Sequence, residues 1–420
     1  MSWKSVVQKR VAVKGDILVV GVDIGKRSHV GATFLRDGTS PRKFRFYNDG
    51  HGFSMFLGRI GTWKAKAGCK DVIVGLESTG HYGECLAYWL HKHGIKVVQV
   101  NPVHVKRSKE TLDNSPGKTD PKDALLIADL VSQGKYLTLV LPKGVFAELR
   151  QLVGLRKRLM VERTAKVNLL HASVDRVFPE FSTVFRGLTG KTARYILRHF
   201  PFPQEIASME ASDLLVRLRR DSDPRISRDK VRAFWEKARG SVGVSEGLAA
   251  TRVVLRDTLD GLEALMEKLK GVESRIERMV AEVDEAAYML SVHGIGVMTV
   301  AVLLSETCGM RHYVRARSIL KLAGLNLFEI SSGQRKGARH ISKRGRSLLR
   351  KTLYLAALRQ AREGAPLYDF YVRLVEGGMI KVKALIAVAC KLVRLLFALV
   401  RDGRYYTQQA PCRYLAASAA

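Results

Sequence analysis

The chain holds 420 residues, 46% of them hydrophobic, with 71 Lys and Arg against 39 Asp and Glu and a formal net charge of +32. That is length enough for two or three domains with buried cores, which excludes a disordered basic tail as the carrier of the charge. A field of this size and sign calls for a polyanion: nucleic acid first, a structural RNA-binding role next, and an anionic membrane surface last. Five cysteines, Cys69, Cys85, Cys308, Cys390 and Cys412, are scattered without a C-x-x-C pair. That argues against a zinc site or a disulfide framework and fits a reducing cytoplasm. The start, MSWKSVVQKR, lacks an apolar signal core.

The first readable element is Asp16–Gly25, DILVVGVDIG. Ile17, Leu18, Val19, Val20 and Val22 make a run of strand length suited to burial on both faces. Asp23 stands near its end, where a carboxylate needs a partner or a metal; the plainer reading is an Asp capping a turn. Val30–Leu35 and Lys43–Tyr47 follow as strands, with turn signals at Asp37-Gly38 and Asn48-Asp49-Gly50, so the first three strands read as an antiparallel meander. A helix is expected from Phe53 to about Lys66, a buried strand at Asp71–Leu76 ending in Glu77, and a helix over Tyr82–His93. A fifth strand at Lys96–Val100 and a helix over Asp120–Gln133 complete the first third. Asp120 and Asp123 are three apart at a helix start, so both project from one face, and Pro121 suits the first helical position. As N-cap and first-turn acids, the pair also has a purely structural explanation. Lys118 and Thr119, just before this helix, are candidates to contact phosphate oxygens.

From about Val145 the pattern turns helical. Leu149, Leu152, Leu155 and Leu159 mark one face, with Arg150, Arg156, Lys157 and Arg158 around it. Leu262, Leu265, Leu269, Val272, Ile276, Met279 and Val283 alternate three and four apart, a heptad seam with Glu and Lys/Arg outside it. These two helices read either as an intramolecular hairpin or, the favoured reading, as a coiled coil contributing to an oligomer. The segment between them, 179–247, carries RLRRD at Arg217–Asp221 and a basic run at Arg225–Arg232, and reads as a small helical insertion touching nucleic acid.

In the last third, Gly294-Ile295-Gly296 separates two helical runs. A helix-hairpin-helix uses such glycines to bring backbone N–H groups and a helix N-terminus to a phosphate; a plain tight turn is the alternative. Ser331-Ser332-Gly333 is followed by Arg335, Lys336, Arg339, Lys343, Arg344, Arg346 and Arg350, with a helix expected from about Arg346. On composition alone this is a solvated basic loop for phosphates. The apolar segment Ala384–Val400 is interrupted by Lys391 and Arg394 and reads as an amphipathic core helix, not a membrane span.

The element order of the first third, β-β-β-α-β-α-β-α, resembles the RNase H-like (RuvC-like) fold, in which acids on the first strand, at the end of the fourth and on a late helix converge on divalent metal. The matching positions are Asp23, Glu77, Asp120 and Asp123. Oxygen ligands of this kind suit Mg or Mn, and two ions roughly 3.5–4 Å apart would clamp the attacking and leaving oxygens of a phosphodiester. The combination GVDIGKRSH, GLESTGHY, NPVHV, KTDPKDALLIA, HGIG and SSGQRKGARHISKRGRSLLRKTLYLAA resembles the DEDD transposases of insertion sequences, whose relatives include pilin-gene DNA invertases. The resemblance covers about Val19–Leu137 and Glu285–Val400.

Together with the heptad pattern of the middle, which the resemblance matches only as generic helix, this gives an α/β plus α protein with a RuvC-like metal-binding domain over 1–143, a helical coiled-coil region with its insertion over 144–286, and a C-terminal transposase domain over 287–420 bearing the serine loop. The resemblance implies four metal ligands, Asp23, Glu77, Asp120 and Asp123, and a nucleophilic serine just before the glycine of S-G, hence Ser332, with Ser331 its neighbour and alternative. Lys118, Gly294, Gly296, Arg335, Lys336, Arg339, Lys343, Arg344 and Arg346 are the nucleic-acid-binding candidates. Donor and target DNA, a structured guide (bridge) RNA and a homo-oligomer are the implied partners, in the cytoplasm of a bacterial or archaeal cell. The chain departs from the usual pattern at Leu327, where a proline often follows A-G-L, and at Val292-His293, which replaces Ile-Pro before G-I-G. Competing readings are a hydrolytic nuclease of junction-resolvase type, a guide-free site-specific invertase and a non-catalytic nucleic-acid-binding scaffold.

Overall fold

A computed structural model describes residues 16–34, 41–77, 80–108, 119–329, 337 and 339–407. The chain divides into two compact units, 1–141 and 142–420. The first is mixed α/β, with strands β1 (Ile17–Asp23), β2 (Ser28–Thr33), β3 (Arg42–Tyr47), β4 (Asp71–Glu77), β5 (Lys96–Val100) and β6 (Leu137–Thr138), and helices α1 (Gly50–Lys66), α2 (Glu84–Lys92), α3 (Pro102–Ser108) and α4 (Asp120–Ser132). The sheet runs β3-β2-β1-β4-β5-β6: β1, β4 and β5 are parallel, and β2, β3 and β6 pair antiparallel with their neighbours. The meander, the two parallel strands and the three main helices stand where the sequence put them, consistent with an RNase H-like domain. The sequence reading did not contain α3 or β6, which are too short to show a period. Helix α1 starts earlier than expected because Asp49 caps it, accepting from the Gly52 N–H at 2.7 Å.

Strand alternation sorts the apolar run of β1 onto two faces. Leu18, Val20 and Val22 pack with Val72, Val74 and Leu76 of β4 against Phe53, Phe56, Ile60 and Trp63 of α1 and Leu86 and Leu90 of α2. Ile17 and Val19 lie on the other face with Ile73, Val98 and Val100, under Leu126, Ile127, Leu130 and Val131 of α4. Fully burying each such side chain contributes about 1.5–3 kcal/mol, so a sheet covered on both sides needs the continuous hydrophobicity that DILVVGVDIG has.

The second unit begins with α5 (Val145–Val177). It continues through the short helices α6 (Phe181–Val184), α7 (Lys191–His199), α8 (Pro203–Ala207), α9 (Ala211–Asp221) and α10 (Arg228–Arg239), and returns through α11 (Leu248–Ala281). Arg156 pairs with Glu273 at 2.7 Å and Lys166 with Asp257 at 3.6 Å, so α5 and α11 run antiparallel. Of the two readings of the heptad seam, the structure has the hairpin: Leu262, Leu265, Leu269, Val272 and Ile276 are buried within the chain. The insertion forms a core of its own with the outer parts of α5 and α11, centred on Phe178, Phe181, Phe185 and Phe234. Arg194 and Arg198 of α7 tie it to Glu263 and Asp260 of α11 at 2.6 Å.

The remaining helices are α12 (Asp284–Leu290), α13 (Val297–Thr307), α14 (Ala316–Leu322), α15 (Ser347–Gln360), α16 (Tyr368–Glu376) and α17 (Lys381–Asp402), with a two-stranded ribbon of β7 (Leu327–Phe328) and β8 (His340–Ile341). Helix α17 is the amphipathic core helix expected from Ala384–Val400, burying Val388, Leu392, Val393 and Leu396. No helix among the described residues is long and apolar enough to cross a membrane.

Candidate active site

The site is built from the register of the sheet. Asp23 pairs with Val30, Val30 with Arg45, and Glu77 with Val100. Because Val22 stands opposite Leu76 in parallel pairing, Glu77 is the next neighbour of Asp23. Val100, Glu77, Asp23, Val30 and Arg45 therefore form one row across five strands, and residues in a row share a face. It is the face that α4 covers, since Val30 and Ala32 pack with Ala124 and Leu125.

Two glycines bring α4 down onto that face. A Cβ on Gly21 would lie 2.0 Å from the Ala124 carbonyl oxygen and 2.4 Å from the Ala128 nitrogen, and one on Gly75 would lie 2.6 Å from Val131 Cγ2. The helix backbone thus rests on β1, and its first turn, carrying Asp120 and Asp123, lies on the face and near the strand ends where Asp23 and Glu77 stand. Thr119 caps α4 by accepting from the Lys122 N–H at 3.4 Å, with Pro121 in the first turn. The purely structural explanation of Asp120 as the N-cap is therefore replaced: Thr119 holds that place. Asp123 is buried; Asp120 is half exposed and accepts from Arg45 Nη2 at 2.9 Å.

The turn after Asp23 is held from the other face. His29, fully buried among Phe46 and Phe53, accepts from the Gly25 N–H through Nδ1 at 3.2 Å. Burial pushes the His29 pKa down, and the neighbouring Asn48 amide opposes this in part. Asn48 Nδ2 donates to the Lys26 carbonyl at 3.2 Å.

The four acids fit a divalent ion in donor chemistry, being hard carboxylate oxygens alone, and in sharing one face and end of the sheet. As placed, no three His, Cys, Asp or Glu side chains among the described residues are grouped so as to hold a metal ion. The Asp120–Arg45 pair would have to open for Asp120 to join such a group. Arg45 was missed in the sequence reading; the signal was its place in the alternating strand Arg42–Tyr47, which puts it in the row of Asp23 only once the register is known.

In the second unit, Ser331, Ser332, Arg335 and Lys336 lie outside the described residues, as does Lys118 in the first. The segment joining β7 to β8 carries both serines. Its base is tightly built. Arg339 Nε donates to Glu329 at 2.9 Å, and Ser342 donates through Oγ to Asn326 Oδ1 at 2.7 Å. Arg350 Nη1 donates to the carbonyls of Ala323 and Lys343 at 3.0 and 3.1 Å. Gly324 has φ +70°, and a Cβ there would meet the Lys343 and Arg344 backbone at 2.9 and 3.0 Å. Arg346 is paired with the largely buried Glu306 at 2.9 Å, while Lys343 and Arg344 are exposed. The turn between α12 and α13 holds Gly294 at φ +83° and Gly296 as the N-cap of α13. Gln360 Nε2 fixes it by donating to the His293 carbonyl at 2.6 Å.

Residues 20–179 match a DEDD transposase model described as "Transposase", and residues 286–372 match the "Transposase IS116/IS110/IS902 family". The chain is 25% identical over 402 residues to the "Insertion element IS116 uncharacterized 44.8 kDa protein" of Streptomyces clavuligerus, covering 96% of this chain and 99% of that one. It is 24% identical to the "Insertion element IS110 uncharacterized 43.6 kDa protein" of Streptomyces coelicolor, covering 93% and 96%. To the "Insertion element IS900 uncharacterized 42 kDa protein" of Mycobacterium paratuberculosis it is 26% identical, covering 69% and 73%. The two models together match more than half of the chain, and the chain belongs to the IS116/IS110/IS902 family of insertion-element transposases.

Proposed function

We propose that this transposase cuts and rejoins DNA through a serine ester, with Ser332 as nucleophile and Asp23, Glu77, Asp120 and Asp123 as the acidic centre. The observation that carries the acidic half is the shared row: Asp23 and Glu77 are neighbours on the face onto which Gly21 admits α4 at Ala124 and Ala128, just after the turn that bears Asp120 and Asp123. The serine half rests on the S-S-G sequence and on the tightly held base of the segment that bears it.

Ser332 Oγ attacks phosphorus, forming a phosphoserine ester as the P–O3′ bond breaks and the released 3′-oxygen takes up a proton. A 3′-hydroxyl of the partner strand then attacks the same phosphorus, restoring a phosphodiester and returning the proton to Ser332. One ester replaces another at each step, so rejoining needs no outside energy source. A serine hydroxyl is a weak nucleophile until activated. A divalent cation, Mg or Mn, held by the four carboxylates would supply charge neutralisation at the phosphate oxygens and a lowered serine pKa. His29 and Asn48 keep the Asp23 turn in place, and Arg45 holds Asp120 until the site assembles.

The net charge of +32 suits backbone contacts along extended nucleic acid. Base pairing by a structured guide RNA is the proposed source of sequence choice, with the acidic centre and the serine meeting within one chain or across subunits of an oligomer. Cleavage of end-labelled DNA tests the serine directly. Ser332→Ala is expected to abolish both cleavage and protein-linked DNA, with Ser331→Ala keeping them. A Ser332→Ala protein that still cuts without any protein-linked DNA would make water the nucleophile and the enzyme a hydrolytic nuclease, whereas one that still forms the link would move the role to Ser331. Asp23→Asn is expected to remove cleavage while leaving DNA binding, which a non-catalytic scaffold would not do.

A further inference from the structure

The helical insertion contains a built cavity that the acidic centre and the serine do not use. It has a volume of about 670 Å³ and lies between the loop entering α7 and the turn linking α9 to α10. Four cations line it, Arg186, Lys191, Arg225 and Lys230, against one carboxylate, Asp223. Among the described residues none of the four cations has a carboxylate at ion-pair distance, whereas Arg194, Arg198 and Arg220 of the same insertion are paired.

Both walls are fixed. Arg194 Nε donates to the Thr189 carbonyl at 3.2 Å and anchors the loop before α7. On the other side Arg219 donates twice to the Ile226 carbonyl at 3.3 Å, and Ser222 Oγ donates to the Leu218 carbonyl at 2.8 Å. The arginines that hold the walls are thus different from the cations that face the cavity. At one wall the first turn of α7 follows Gly190 with no side chain capping it, so backbone N–H groups open toward the same space.

The floor decides what fits. The single aromatic ring in the wall, Phe185, is buried, and Lys230 Nζ already lies 4.6 Å over its ring centroid. A base or nucleoside has no ring to stack on; an anion has four cations and a row of N–H donors. We propose that this cavity seats backbone phosphate of a nucleic acid, making the insertion an anchoring point of its own. It shares with the proposed function the premise that nucleic acid is the partner. Its test reads equilibrium binding rather than cleavage, so the two fail separately.

Full-length protein and its Lys191→Gln/Arg225→Gln variant are compared by fluorescence anisotropy with a labelled DNA duplex and a labelled RNA hairpin across a salt series. Removing one phosphate-binding cation lowers the slope of log affinity against log salt by about one. The expected result is a slope smaller by about two for at least one probe, with affinity at low salt reduced about tenfold or more. A change with the hairpin alone assigns the cavity to RNA, and with the duplex alone to DNA. Lys64→Gln/Lys66→Gln on α1 removes the same charge elsewhere and is expected to leave the slope unchanged. Unchanged slopes for both probes, or an equal loss in the α1 control, would each overturn the proposal.

Discussion

Gly21 sets how closely α4 lies on β1. Its missing side chain is the space that Ala124 and Ala128 occupy, and the contact is with backbone, which cannot swing aside. Gly21→Ala is expected to cost about 3 kcal/mol or more, and Gly75→Ala less, because its nearest neighbours are the side chains of Val131 and Ile127. Urea unfolding of the two full-length variants checks the order. His29 makes a pH statement. Its native pKa lies below that of the unfolded chain because burial disfavours the imidazolium. Its contribution is therefore full above about pH 6.5 and is lost as pH falls toward the native pKa, where the unfolded chain alone binds the proton. His312, also lowered by burial, tilts the same way. His29→Asn keeps an acceptor for the Gly25 N–H, and its thermal midpoint is expected to fall less than the wild type's between pH 7 and pH 5.

At the scale of elements, the α5–α11 hairpin shows which interactions matter. Ile276 is fully buried in the seam, whereas Arg156 and Glu273 are each about a third exposed at 28% and 34%. Ile276→Ala is expected to cost about 2–5 kcal/mol, and Glu273→Gln about 1 kcal/mol or less; chemical denaturation of the two variants separates them. The seam was legible because a three-four alternation has one geometric meaning. Its partner was not, since a seam looks the same whether the second helix lies in the same chain or another. The strands at Ile17–Asp23 and Asp71–Glu77 were equally legible, as β-branched runs bounded by Gly and Asp. That Asp23 and Glu77 are neighbours required the register, and that Arg45 joins their row required two more pairings. The cavity of the insertion was invisible for a similar reason. Its cations are far apart in sequence and converge only when the turn after α9 folds against the start of α7.

For the whole molecule, 71 basic residues against 39 acidic ones fix how it meets its substrate. Binding to duplex DNA is expected to weaken steeply with salt, by about 10³–10⁵ between 50 and 200 mM if six to ten phosphates are held. A titration at four salt concentrations measures this, and a flat response would contradict a backbone-held complex. The central claim concerns one bond, between Ser332 and DNA. Protein trapped on cleaved DNA is digested with nuclease and protease, and the peptide bearing a nucleotide remnant is located by mass spectrometry. The expected result is a phosphodiester-linked nucleotide on Ser332, absent from the Asp23→Asn protein. A remnant on any other residue, or efficient cleavage with no DNA left on the protein, would contradict it.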